Sequence, residues 1–174
     1  MKPNNHAKSN DEWIEKGPPN IPLPATIESV EQGSIGDEIG LEPGDKILSI
    51  NGIIPRDVID YNFLIIEEDL SIKVIDSDEN IHTLEIEKEA EDTLGISFEE
   101  ALFDELKQCN NHCPFCFIDQ QPPGKRKTLY IKDDDYRMSF LYGSYLTLTN
   151  LAKVDWERIK EQRLSPLFVS VHST

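Results

Sequence analysis

Apolar and polar positions alternate with a period of two in several short runs between residues 21 and 89, the pattern of half-buried strands. "TIESV" (26–30), "KILSI" (46–50), "SIKVID" (71–76) and "HTLEIEK" (82–88) are the predicted strands. In the last, Leu84 and Ile86 are expected to face inward, with Glu85 and Glu87 outward. The segments between them carry stop and turn signals. Ser34 is placed to cap a one-turn helix, and Gly40 to close it in a left-handed conformation. "EPGD" (42–45) reads as a turn, and Asn51-Gly52 is a hairpin-turn pair. Asp57 is placed to cap a helix over "VIDYNFLII", where Ile59, Phe63 and Ile66 fall on one face at helical spacing. Residues 21–89 are therefore expected to form a small β-rich domain. Residues 1–20, rich in Asn, Lys and Pro without apolar periodicity, are expected to be a mobile lead-in.

The acidic, glycine-ended stretch "KEAEDTLG" (88–95) marks the expected domain boundary, and the rhythm changes after it. "ALFDELKQ" (101–108) and "YLTLTNL" (145–151) are strand candidates. "KVDWERIKEQRL" (153–164) is a helix candidate with Trp156 and Ile159 on its buried side. "PLFVSVHST" (166–174) is a further strand. Strand, cysteine-bearing loop, strand, helix, strand is a βα series, which favours a parallel sheet or barrel. The fold class expected is α/β plus a small β-rich domain.

Charge narrows the partners. Of 174 residues, 33 are acidic and 17 basic, for a net charge of -16. Nucleic acid is disfavoured, because phosphate binding needs clustered cations. The one basic cluster, Lys125-Arg126-Lys127, lies in a Pro/Gly loop and reads as a solvated turn. Asp133-Asp134-Asp135 reads as an exposed acidic turn rather than a cation site, in a loop beside the cysteines. No apolar run reaches the ~20 residues of a membrane helix. The start lacks a signal-peptide core, so no membrane association and a cytoplasmic location are expected.

All three cysteines, Cys109, Cys113 and Cys116, lie within eight positions in "KQCNNHCPFCFIDQQ". An odd number of thiols in a reducing compartment reads as metal ligands or reactive groups, not as a disulfide framework. A structural zinc site wants four ligands, usually in two Cys-x2-Cys knuckles. Only Cys113 and Cys116 form a knuckle here, and His112 or His172 would have to complete the set. An iron–sulfur cubane held by three thiolates instead keeps one iron open, as a catalytic metal requires. A simple redox cluster remains a third reading.

Two resemblances follow from these residues. "VEQGSIGDEIGLEPGDKILSING" and the helix after it resemble a PDZ domain of the bacterial kind. Such domains bind extended peptides, often C-terminal ends, by strand addition beside that helix. No Gly-Leu-Gly-Phe-like carboxylate loop precedes "TIESV"; "PNIPLPA" stands there. Cys109-x3-Cys113-x2-Cys116, with Phe115 before the last cysteine and Asn110 after the first, resembles the radical S-adenosylmethionine (SAM) signature. The downstream stretches "FIDQQPPGKRKTLYIKDDDYRMSFLYGSYLTLTNL" and "RLSPLFVSVHST" are similar to one bacterial family. Its members join an N-terminal PDZ domain, a radical SAM barrel and a C-terminal domain of unknown function.

The second resemblance implies a [4Fe-4S] cluster on Cys109, Cys113 and Cys116, with S-adenosylmethionine on the fourth iron and Phe115 near its adenine. Cleavage of the sulfonium bond would give a 5′-deoxyadenosyl radical that abstracts hydrogen from a substrate. A reductant protein is an implied partner, and a peptide or protein ligand is implied for the PDZ-like domain. Most such enzymes carry Gly-Gly-Glu after the second barrel strand. "LTLTN" stands here, leaving Thr149 and Asn150 to grip the SAM amino group. Alternation along the barrel strands would point Thr149, Ser170 and His172 inward and turn Leu146, Leu148, Val169 and Val171 toward helices. A barrel takes about 200–250 residues, and residues 90–174 are expected to be only its N-terminal part. The chain alone is expected to be poorly soluble and inactive. The alternative is a PDZ-type binding module whose cysteine loop holds zinc or a simple iron–sulfur cluster.

Overall fold

The computed structural model describes residues 22–171. The lead-in expected at residues 1–20 and the candidate His172 lie outside the described residues. The chain divides into two compact units, one over residues 20–105 and the other built on residues 106–174.

The first unit is an antiparallel sheet in the order β4-β3-β2-β1-β5. Its strands are β1 (Ala25–Val30), β2 (Lys46–Ile50), β3 (Asp69–Ile75), β4 (Ile81–Glu87) and β5 (Ile96–Phe98). Two short helices interrupt them, α1 (Ile35–Glu38) and α2 (Val58–Leu64). Local chemistry sets the ends of these elements. Ser34 caps α1 by accepting the Asp37 N–H, and Gly40 takes φ +82° just past its end. Asn51 and Gly52 both take positive φ, and Ile50 and Ile53 exchange two 2.9 Å backbone bonds across them, a tight hairpin turn. Asp57, fully buried, accepts the N–H groups of Ile59 and Asp60 and so caps α2. The core is aliphatic: Ile27, Ile47, Ile50, Leu70, Ile72 and Val74 are each at most 2% exposed. Ile86 is buried and Leu84 half-buried, while Glu85 and Glu87 face out.

Two sequence expectations fail in this unit. Helix α2 buries Tyr61 and Ile65 with Ile59, whereas Phe63 and Ile66 are exposed. Tyr61 and Ile65 are as apolar and as helically spaced as Phe63 and Ile66, and packing under the sheet selects the first pair, while Ile59 is buried as expected. "ALFDELKQ" forms no strand; only Leu102 and Gln108 make isolated bridges. The strand falls earlier, at β5, which pairs with β1 through Ile27–Phe98, Ser29–Ser97 and Val30–Ile96.

The second unit holds α3 (Tyr136–Tyr142), β6 (Tyr145–Leu146), α4 (Lys153–Glu161) and β7 (Phe168–Val169), preceded by a 3₁₀ turn at Lys127–Tyr130. Strands β6 and β7 pair in parallel with α4 between them, a βαβ unit. Asp135 caps α3, and Gly143 at φ +75° ends it. The β6 strand is short because Leu148 takes φ +61° and Thr147 turns its N–H and hydroxyl to Asp134. On α4 the buried residues are Asp155 and Arg158, not Trp156, which is 38% exposed; Ile159 is half-buried. Polar partners explain the inversion. Asp155 takes Lys107 Nζ at 2.8 Å and the Ala152 N–H, and Arg158 donates to the Tyr136 hydroxyl at 3.1 Å. Val169 and Val171, expected to pack on helices, are exposed. Among the described residues, no helix is long and apolar enough to cross a membrane.

Candidate functional site

Cys109, Cys113 and Cys116 are free thiols, each half-buried. All three line one cavity of about 230 Å³ with Phe115, Phe117, Ile118, Tyr145, Thr147 and Ser170. The two-residue spacing closes a tight turn, in which the Cys116 N–H donates to the Cys113 carbonyl at 3.0 Å. That turn sets both side chains on one side of the loop. Cys109 is fixed separately: its N–H donates to the Lys132 carbonyl at 2.8 Å.

The loop is pinned by side chains that sequence reasoning passed over. Lys132 Nζ reaches the Asp119 carboxylate at 2.6 Å and the Asn111 carbonyl at 3.2 Å. The hydrogen bond with Lys132 holds the Asp119 carboxyl below the usual carboxylate range, and the same bond holds the Lys132 ammonium above its ordinary value. Asn111 Nδ2 approaches Cys109 Sγ at 3.3 Å and Thr149 Oγ1 at 2.6 Å.

The acidic triplet is not an exposed turn. Asp134 and Asp135 are each 1% exposed. Asp135 binds Arg137 through Nε at 2.9 Å and Nη2 at 2.7 Å, and accepts the Lys107 N–H at 2.9 Å. Burial alone would raise its carboxyl; the Arg137 pair and the N–H donors outweigh it and leave it below the usual range. Burial raises the neighbouring Asp133 carboxyl. Lys132, Asp133 and Asp134 line the cysteine cavity. All three aspartates are engaged in structure, which leaves the three thiols as the soft donors of the cavity.

The sequence-predicted residues separate as follows. Phe115 and Ser170 reach the cavity. Thr149 does not line it but is tied to Asn111; Thr147 takes the cavity position instead. Asn150 donates to the carbonyls of Gln108 and Asp134, and its buried Oδ1 has no partner among the described residues. His112, a candidate fourth zinc ligand, is exposed and outside the cavity lining. Lys125, Arg126 and Lys127 are exposed.

The residues fit the groups implied for them. Among the described residues no set of three or more His, Cys, Asp or Glu is arranged to hold one metal ion. In a cubane the three thiolates bind three different irons and need not converge on a point. The unpartnered Asn150 Oδ1 is enclosed and lies outside the lining of this cavity.

A second site element lies in the first unit. "TLGI" (93–96) leads into β5, and the carbonyls of Leu94 and Gly95 accept the N–H groups of Gly36 and Glu31 at 2.8 and 2.7 Å. No acceptor among the described residues takes the N–H of Leu94 or Gly95. The Phe98 ring meets Tyr61 of α2 edge-on at 4.8 Å, so β5 stands beside α2.

A family model for a PDZ domain matches residues 26–76, and one for a Radical SAM-like domain matches residues 88–174. No curated protein matches the chain. A PDZ domain implies peptide or protein binding, and a Radical SAM-like domain suggests SAM and an iron–sulfur cluster. With half of its length matched, the chain belongs to the Radical SAM-like domain family and carries a PDZ domain ahead of that region.

Proposed function

We propose that Cys109, Cys113 and Cys116 hold a [4Fe-4S] cluster and that the chain binds S-adenosylmethionine beside it for radical chemistry. The supporting observation is three free thiols lining one cavity with an apolar wall. When bound and reduced, this pair of cofactors supplies an electron to cleave the sulfonium bond, giving a 5′-deoxyadenosyl radical that abstracts hydrogen. The chain's own residues do the holding. Phe115 offers a flat apolar face for an adenine. Ser170 lines the cavity; Asn150 Oδ1, unpartnered but enclosed outside that lining, would accept an amino group only after turning toward the cavity. His172 is proposed to join them. Phe117, Ile118 and Tyr145 give the cavity an apolar wall beside the thiols. In this reading residues 90–174 begin a (β/α) barrel, the β6–α4–β7 unit being part of its wall, and a reductant protein serves as electron donor. Anaerobic reconstitution tests it. About four irons and four sulfides per chain are expected, lost when any one cysteine becomes serine; one zinc per chain and no sulfide would sink it.

The PDZ domain, read as residues 21–89 from sequence, is proposed to include the loop and strand that follow. An extended peptide would add along β5 beside α2, its terminal carboxylate at the N–H of Gly95, since Leu94 is fully buried. The observation favouring this is the position of β5 against β1 and Tyr61. Peptides with free C-termini should bind more tightly than their amidated forms; equal binding would remove the carboxylate contact.

A further inference from the structure

The Asn111 amide is governed by a chain of hydrogen bonds with a fixed direction. Asp134, 1% exposed, turns both carboxylate oxygens to Thr147, one toward its N–H and one toward its hydroxyl at 2.7 Å. A carboxylate has no proton to give, so the Thr147 hydroxyl donates to it. Thr147 Oγ1 is then an acceptor for Thr149, whose N–H lies at 3.3 Å and whose hydroxyl lies at 2.8 Å. With its own proton spent on Thr147, Thr149 Oγ1 accepts from its next neighbour. That neighbour is Asn111 at 2.6 Å, so the group facing Thr149 is the NH₂ and not the carbonyl. The second N–H of the same nitrogen points to Cys109 Sγ at 3.3 Å. A flip of the amide would set two acceptors against Thr149 and withdraw the donor from the sulfur.

We infer that Asn111 is a positioning residue that donates a hydrogen bond to the Cys109 sulfur, its orientation fixed by the Thr149–Thr147–Asp134 chain, and that it thereby sets the reduction potential of a cluster on that thiolate. This rests on the cluster reading given above. Hydrogen bonds to cluster sulfurs draw electron density from the thiolate and favour the reduced state, so they raise the potential. The Asn111 contact is held by the segment just after β6, through the Thr147 and Thr149 hydroxyls. It therefore depends on Thr149, 38 positions away in sequence, which is open to substitution.

Two measurements test it. In the metal-free chain, proton exchange of the Asn111 side-chain amide is followed by NMR, with the resonance assigned by its absence in Asn111→Ala. Slowed exchange is expected, retained in Thr149→Ser and lost in Thr149→Val. In the reconstituted chain, the cluster midpoint potential is read by a redox titration followed by electron paramagnetic resonance. Asn111→Ala and Thr149→Val should each shift it to more negative values, and Thr149→Ser should leave it in place. An Asn111 amide that exchanges as a free side chain in the wild type overturns the hydrogen bond. A midpoint unmoved in Asn111→Ala overturns the tuning role. A wild-type chain that takes up no cluster overturns the cofactor reading and the tuning role together, while the amide exchange still decides whether the hydrogen-bonded chain exists.

Discussion

Replacing Asp135 with asparagine separates a buried ion pair from a helix cap. Asn caps nearly as well as Asp, so the bond to the Arg137 N–H at 3.0 Å survives at little cost. What is lost is the carboxylate against a guanidinium when both side chains are at most 2% exposed. Breaking such a buried pair from one side costs about 3–5 kcal/mol. We take about 3, because Arg137 keeps further contacts. For a unit of this size, a urea m-value of ~1.5 kcal/mol/M turns that into a midpoint lowered by about 2 M. Trp156 fluorescence in a Trp13→Phe background reports this unit alone. The pH dependence follows from the sign of the shift. The Asp135 carboxyl is held below the usual range, so its stabilisation is full above about pH 4 and fades as pH falls through the lower folded value. Wild type and Asp135→Asn should therefore converge in acid and diverge above it. A midpoint shift under about 0.3 M at pH 7, the ~0.5 kcal/mol of an ordinary surface change, would refute the buried-pair reasoning.

Three further outcomes are expected. Gly36→Val should destabilise the first unit by roughly 1–3 kcal/mol, because a Cβ there would lie 2.6 Å from the Leu94 carbonyl; an unchanged melting temperature would contradict the close approach. Leu146→Ala should cost about 2–5 kcal/mol in the second unit, since Leu146 is 1% exposed, and an unfolding midpoint within error of wild type would count against its burial. His112→Ala should leave iron and sulfide content at wild-type levels, whereas Cys113→Ser should abolish both; a loss of metal in His112→Ala would make His112 a ligand.

Legibility of the sequence tracked local chemistry. Caps at Ser34 and Asp57 and the turn at Asn51-Gly52 were readable because one or two residues specify each. The inward face of α2 was not, because two apolar stripes compete and only the sheet above decides. Strand β5 was missed because three residues give no periodicity, and its pairing with β1 is separated from it by more than sixty residues. In the candidate site, the cysteine spacing alone singled out the three thiols that line one cavity. Asn111, Lys132 and Thr147 carry no pattern of their own and acquire meaning only through partners distant in sequence, Thr149, Asp119 and Asp134. The acidic triplet misled for the same reason: three adjacent carboxylates resemble a solvated turn until Arg137 and Thr147 supply their partners.

The central claim is that the three thiols leave one iron of a cluster open for SAM. It is tested most directly by the electron paramagnetic resonance spectrum of the anaerobically reconstituted, reduced chain with and without S-adenosylmethionine. A [4Fe-4S]⁺ signal whose shape changes on adding SAM is the predicted result. A cluster signal indifferent to SAM, or stoichiometric zinc with no cluster, would contradict it.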